Sequence, residues 1–380
     1  MIDIYSYDMV PLSDFLAEYK ELNANNRFRP VAVGRYGIRT RESIYSKELA
    51  QDYSKNKLIY KDTLTVGMGS VQMDIGILTD DITYSVSPAY HTYRINGINC
   101  DYLRFCLQAR NVDMFERYKK RGSRQGKSID LKAWVHYLIP VYEIDGQLQI
   151  VSTLHKIQSI IDDRMQELQK LDDLVKARFV EMFGNPVDNS KHFDLVPLGQ
   201  LGVLKRGVSK HRPRNDAVLL GGNYPLIQTG DVSNAKDYIT EYTSTYSEEG
   251  LKQSKMWGKG TLCITIAANI ADTAILNFDA CFPDSVVGFI PNEKVTTLFI
   301  HNWFKFLQPV LEENAPAVAQ KNLNVATLEK TGAIVPPIEM QNEFEIFVQQ
   351  VDKSKFVESI HVLKLIKEAI AKEVSHDRIR

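Results

Sequence analysis

The sequence predicts an α+β fold: two duplicated globules of mixed helix and sheet, separated by two long antiparallel helices that form a coiled-coil spacer. Three observations carry this. Residues 147–183 contain no Gly or Pro and repeat apolar residues at coiled-coil spacing. One order of short motifs occurs twice, about 190 residues apart. Strands and helices do not alternate as long βαβ runs, which disfavours a doubly wound parallel sheet.

The first helix carries its seam on Ile150, Leu154, Ile157, Ile161, Leu168, Leu171 and Val175, followed by Phe179 and Met182, with one skipped turn near Arg164. Asp162, Asp163, Glu167, Asp172 and Asp173 fall largely outside that seam. Gly184-Asn185-Pro186 stops the helix, because Gly suits the C-terminal turn and Pro cannot continue it. At about 1.5 Å per residue the rod is roughly 55 Å long. Its apolar stripe needs a partner. The chain offers a second helix over about 341–374, with a seam that includes Phe344, Val348, Val351, Leu363 and Ile370, less regular because Lys355 interrupts it.

The duplication is explicit in the residues. Val10-Pro11-Leu12 opens one half and Val196-Pro197-Leu198 the other. Lys61-Asp62-Thr63-Leu64 and Lys259-Gly260-Thr261-Leu262 each turn into a strand. A strand pair follows in each half, over 82–95 and 274–290, then a helix around 102–108 and 304–308. Polar loops come next, at 122–128 and 315–324, and then Leu138-Ile139-Pro140 or Ile334-Val335-Pro336 before each long helix. The expected boundaries are a first globule over 1–146, a long helix over 147–184, a second globule over 185–338 and a closing helix over 339–380. Strands are expected where β-branched and aromatic residues cluster between Gly, Asn and Asp, as at Val31-Ala32-Val33 and Val286-Val287-Gly288-Phe289.

With 380 residues the chain has room for two domains, and its composition is that of an ordinary soluble protein. No apolar run is long enough to span a membrane, and the start, MIDIYSYDMV, has no basic region followed by an apolar stretch. Cys100, Cys106, Cys263 and Cys281 lack paired metal-ligand spacing and read as buried free thiols of a reducing compartment, so a cytoplasmic location is expected. The formal net charge of -1 argues against a uniformly basic nucleic-acid binder but leaves room for local basic faces.

Two such faces stand out. Arg117, Lys119, Lys120, Arg121, Arg124 and Lys127, with Gln125 and small residues between them, form a run without an acid. It suits either a solvated loop or a phosphate-tracking one, in which cations neutralise charge while amides and backbone N–H groups donate. Lys205, Arg206, Lys210, His211, Arg212 and Arg214 form a second cluster in the other half, and the pair shifts the reading toward nucleic acid. Arg35, Arg39 and Arg41, and Gln228 with Thr229 and Asn234, are candidate base readers, since arginine suits guanine and amides suit adenine.

Catalytic signals are missing from the sequence. Gly67-Met68-Gly69-Ser70 lacks the third glycine and following helix of a phosphate loop. Ser87-Pro88-Ala89-Tyr90 lacks the asparagine and second proline of an amino-methyltransferase motif. Pro283-Asp284 and Glu293-Lys294 have the wrong spacing for a nuclease carboxylate cluster, and no Cys/His set suits a metal.

Gly184-Asn185-Pro186 after a long helix, then Val196-Pro197-Leu198-Gly199 and Lys205-Arg206-Gly207, resembles the opening of a target-recognition domain. Gln320-Lys321-Asn322-Leu323, Ile334-Val335-Pro336-Pro337, Gln341 and the closing helix resemble its end. With the duplicated order, essentially the whole chain resembles the specificity subunit of type I restriction–modification systems. That resemblance implies a non-catalytic subunit that binds double-stranded DNA, each globule reading one half of a bipartite asymmetric site. The helices would set the gap and dock two DNA-methyltransferase subunits, which hold S-adenosylmethionine and methylate adenine N6; restriction/translocase subunits would join for cleavage. No cofactor, metal or membrane is expected for this chain itself. The resemblance also implies that Arg124 and Gln125, and their counterparts Gln320 and Lys321 beside Asn322, face DNA. A coiled-coil scaffold that joins proteins without touching DNA is the alternative, and a fused modification or cleavage enzyme is a third reading.

Overall fold

The computed structural model describes residues 6–35, 37–44, 52–121, 127–267, 270–313 and 323–355. They form two compact units, one up to Asp162 and one from Asp163 onward. In the first unit, Tyr7–Pro11 pairs antiparallel with Leu138–Tyr142, and a single 3₁₀ turn, Leu12–Asp14, buries Leu12 completely. Leu16–Tyr19 then enters a four-stranded sheet beside His91–Ile95, Thr63–Met68 and Met73–Leu78, all antiparallel. Its core is Leu64, Val66, Tyr93, Leu103, Leu107 and Trp134. Helix Cys100–Ala109 packs there, started by Asn99, whose Oδ1 accepts the N–H of Tyr102 at 3.0 Å.

The second unit repeats this course. Leu195–Pro197 pairs with Gly332–Ile334, the 3₁₀ turn Leu198–Gln200 buries Leu198, and Gly202–Arg206 enters a sheet with Val286–Pro291, Leu262–Thr265 and Thr273–Leu276. A parallel strand, Tyr238–Ile239, extends it. Even single hydrogen bonds recur. The Leu12 N–H donates to the Tyr137 carbonyl (3.1 Å) as the Leu198 N–H does to Thr331 (2.9 Å). Asn96 N–H to Phe15 (2.9 Å) matches Asn292 N–H to Leu201 (2.8 Å). The helix of this half, Thr297–Glu313, is longer than its counterpart.

The expected strand pairs over 82–95 and 274–290 are not mutual pairs. Tyr84–Val86 pairs with Lys57–Ile59, while His91–Ile95 pairs into the main sheet. Likewise Ala280–Cys281 pairs with Met256–Trp257, and Val286–Pro291 joins the main sheet. Each unit thus hands its chain from a second sheet, of two strands in the first unit and four in the second, to its main sheet. Short runs of the same residue types cannot reveal which neighbour a strand will choose, because that is set by tertiary burial.

The long helix runs Ile144–Phe183, starting earlier than the spacing suggests and ending as expected. Gly184 takes φ +74 and donates its N–H to Val180 at 2.8 Å, a left-handed stop that favours glycine. Ile150, Leu154, Ile157, Ile161, Leu168 and Leu171 are half-buried, and Val175, Phe179 and Met182 are buried. Arg164, the skipped turn, sits half-buried in the same seam.

A second helix, over 338–355, packs on residues 171–183 within the second unit. Phe344 meets Phe179 and Phe183 edge-on at 5.4 and 5.6 Å, and Val348 and Val351 are buried with them. Arg178 pairs with Glu343 (2.7 Å) and Asp172 with Lys355 (2.7 Å), so one helix runs up as the other runs down. This corrects two expectations. Asp172 is not outside the seam, and Lys355 does not merely interrupt it; the two interruptions neutralise each other. Leu363 and Ile370 lie outside the described residues.

Each long helix is fastened to its unit by one buried glutamine. Gln147 Oε1 accepts the Asn99 N–H (2.9 Å) and its Nε2 donates to the Tyr142 carbonyl (2.8 Å). Gln341 Oε1 accepts the Thr296 N–H (2.9 Å), and its Nε2 donates to the carbonyls of Lys294 (2.9 Å) and Pro336 (2.8 Å). Both side chains tie the end of a closing strand and the start of a sheet-packed helix to the first turns of a long helix.

Candidate nucleic-acid interface

In the first unit, the expected polar loop over 122–128 is instead partly strand. Lys119–Arg121 and Lys127–Ile129 form an antiparallel hairpin, with Lys120 opposite Ser128 and Arg121 opposite Lys127. The side chains of Arg121 and Lys127, and all of Arg124 and Gln125, lie outside the described residues. The remaining cations are not bare. Arg117 pairs with Asp113 at 3.0 Å, Lys119 reaches Glu116 at 2.5 Å, and Lys120 pairs with Asp130. Acids just outside a run free of them fold back onto it, so its field is weaker than the residue count suggests. The Asp113 and Asp130 carboxyls are held below the usual range, chiefly by hydrogen bonds from Tyr137 and Lys120 respectively.

A second hairpin, Val31–Gly34 with Gly37–Thr40, carries Arg39 opposite Ala32, and both Arg35 and Arg39 are exposed. Arg41 follows it, stacked over the Tyr53 ring at 5.2 Å with its Nε buried. A concavity of about 440 Å³ is lined by Ala32 and Arg41 on one side of the sequence and by Ser128 and Ile129 of the basic hairpin on the other, with Tyr90 and His91. The fold therefore brings two of the three cationic candidate segments to one surface. Gly67, from the incomplete glycine motif, lies at the end of a strand where a Cβ would strike the Tyr90 ring at 2.4 Å. That glycine is explained by packing.

In the second unit, Lys205 and Arg206 end the edge strand Gly202–Arg206 and are both exposed. The loop after them is shaped by Gln253, whose Oε1 accepts the N–H groups of Lys210 (2.6 Å) and His211 (3.1 Å). Arg212 donates to the carbonyls of Ser209 (2.7 Å) and His211 (2.8 Å) and pairs with Asp284 at 3.5 Å. Arg214 pairs with the other oxygen of Asp284. Asp284, which reads in the sequence as an incomplete nuclease motif, is an arginine partner. Gln228 is exposed at the start of helix Thr229–Asn234, its N–H bound by Asp231 (2.8 Å) and its amide near Ser244 (3.4 Å). Gln320, Lys321 and Asn322 lie outside the described residues.

A buried charge network without any plain sequence signal joins this unit to both of its helix segments. His301 is 1% exposed, with Nε2 at 3.0 Å from Asp237 and Nδ1 at 3.0 Å from the Thr273 hydroxyl. Lys305 reaches Asp237 at 2.5 Å, and Lys355 bridges Asp237 (3.8 Å) to Asp172. Burial raises the Asp237 carboxyl, but His301 and Lys305 outweigh it and hold the group well below the usual range. The four cysteines are free thiols, Cys263 and Cys281 buried and Cys100 and Cys106 half-buried; burial pushes all of them up, Cys100 to about 12. Thiols so shifted are poor nucleophiles. Among the described residues no group of His, Cys, Asp and Glu is arranged to hold a metal, and no helix is long and apolar enough to cross a membrane.

The described residues thus form a duplicated α+β globule with exposed cations on hairpins and an edge strand, and a helix closing each copy. Residues 191–367 match the family described as type I restriction modification DNA specificity domain. The fold is similar to a chain solved in a study of complex assembly and conformational transition of the type I R-M system, with 16% identity, a TM-score of 0.55 and coverage of 96% of this chain and 95% of that one. It is also similar to the type I restriction-modification system S subunit from M. genitalium, with 12% identity, a TM-score of 0.50 and coverage of 99% and 95%.

Proposed function

We propose that this chain directs a type I restriction–modification complex to a bipartite, asymmetric DNA site, each globule reading one half. The single observation that carries this is that residues 191–367 match a DNA specificity domain while the first unit repeats the same strand pairings and helix clamp. If one copy reads DNA, a second copy of the same design supplies a second reader. The helices set the gap between half-sites and dock two methyltransferase subunits. A role in assembly is supported by the similarity to a chain solved within a type I R-M complex study. Those partners bind S-adenosylmethionine and methylate adenine N6, and restriction/translocase subunits complete the assembly in the cytoplasm.

Within this reading, Lys205, Arg206, Arg212 and Arg214, with the hairpin cations of the first unit, neutralise phosphates. Arg35, Arg39 and Gln228 read base edges. A scaffold that never touches DNA would have no use for a DNA specificity domain. The test is to co-express the chain with its neighbouring methyltransferase subunit and map methylated adenines on genomic DNA. A split motif with a fixed gap, lost when this chain is omitted, is expected; a continuous motif, or methylation independent of the chain, would overturn the proposal.

A further inference from the structure

We infer that Asp284 is an internal stand-in for DNA phosphate, which occupies Arg212 and Arg214 until a duplex displaces it and so lowers the affinity of this loop for every duplex. This rests on the DNA-reading role proposed for the second unit. The geometry is that of a bound anion: one guanidinium lies on each carboxylate oxygen, Arg212 on Oδ2 at 3.5 Å and Arg214 on Oδ1. A phosphate presents the same pair of oxygens to the same fork of donors. All three side chains are partly exposed, at 54%, 46% and 35%, so a duplex can reach the arginines.

The two arginines are held differently. Arg212 is also fixed by the carbonyls of Ser209 and His211, so it keeps its place when the carboxylate is removed. For Arg214, Asp284 is the partner found among the described residues. The loop itself does not depend on the ion pair. The Gly207 and Val208 N–H groups donate to Val286 (2.8 Å) and Phe282 (3.1 Å), which sews the loop to the turn that carries Asp284.

The consequence is a cost charged to every duplex. Binding any phosphate here requires the loss of an existing ion pair, and the net charge of the cluster is one unit lower than its arginines alone would give. Non-specific binding, which is almost wholly electrostatic, is weakened in full. A cognate duplex bears the same cost, so the ratio between cognate and non-specific affinity is unchanged, and its base contacts are what offset the lost pair.

The test uses the full chain and two duplexes: one carrying the site found by methylation mapping, one a scrambled sequence of about three helical turns. Asp284→Asn is expected to tighten binding of both duplexes roughly fivefold at about 0.15 M salt, with the salt slope steeper by about one, and to leave the ratio between them unchanged. Asp284→Glu, which keeps the carboxylate, should stay near wild type. Arg212→Gln with Arg214→Gln should weaken both duplexes. If the double arginine variant weakens binding but Asp284→Asn does not tighten it, or Asp284→Glu tightens it equally, the stand-in role fails and the reading of DNA by this loop survives. If the arginine variant binds both duplexes as wild type does, the loop is not on DNA and both fail.

Discussion

His301 shows how a single residue can tie stability to pH in this protein. Its ring is buried between Asp237, Thr273 and Lys305, and burial holds it below its ordinary pKa of 6.5 although Asp237 pulls the other way. A carboxylate only accepts, so Nε2 carries the proton and Nδ1 accepts from the Thr273 hydroxyl in the neutral ring. The unfolded chain takes up a proton near 6.5, whereas the folded one resists until lower pH. The contribution is therefore complete above that value and lost as pH falls below it. Thermal melts should show the second unit losing stability from about pH 7.5 to about pH 5.5, and His301→Gln should flatten that dependence. A wild-type midpoint that does not move would mean the ring is not held neutral. Asp237 acts further down, since its stabilising charge is lost only below the usual carboxylate range. None of this was legible beforehand: His301, Asp237 and Lys355 are far apart in sequence and share no motif.

At the scale of elements, the seam of the long helix was legible because its spacing repeats over many turns, and 3.5-residue periodicity has few other physical meanings. The identity of its partner was only half legible. Lys355 breaks the apolar pattern of the closing helix, and a pattern cannot show that Asp172 waits opposite it. Burial favours the neutral form of Lys355, yet the Asp172 hydrogen bond and the neighbouring carboxylates outweigh it and raise its pKa. The glutamine clamps make the join between helix and globule specific. Gln341→Leu would leave the Thr296 N–H and two carbonyls without their partner, at about 2 kcal/mol in chemical denaturation, and Gln147→Leu should act similarly on the first unit. Substitution of the exposed Gln149 should cost under about 0.5 kcal/mol; equal losses at all three positions would remove the case for a clamp.

At the scale of the whole molecule, the duplication leads to a modular prediction. Exchanging residues 1–146 for the equivalent segment of another such subunit should alter one half of the recognised site and leave the other intact, as read by methylation mapping. A change in both halves would show that the units do not read independently. The candidate site was less legible than the fold. The basic clusters were visible as runs of Lys and Arg, but the acids that compensate them stand just outside the runs, at Asp113, Glu116 and Asp130, or in a separate turn, at Asp284.

By itself the sequence determined the α+β class, the duplicated order, the seam and stop of the long helix, and a family resemblance. Each rests on local periodicity or on repeated residue order, which survive without coordinates. Only the tertiary structure decided which strands pair in each second sheet, which glutamines anchor the helices, and which cations are already engaged. Those depend on side chains brought together from distant positions, where burial and charge pairing, and not spacing along the chain, set the outcome.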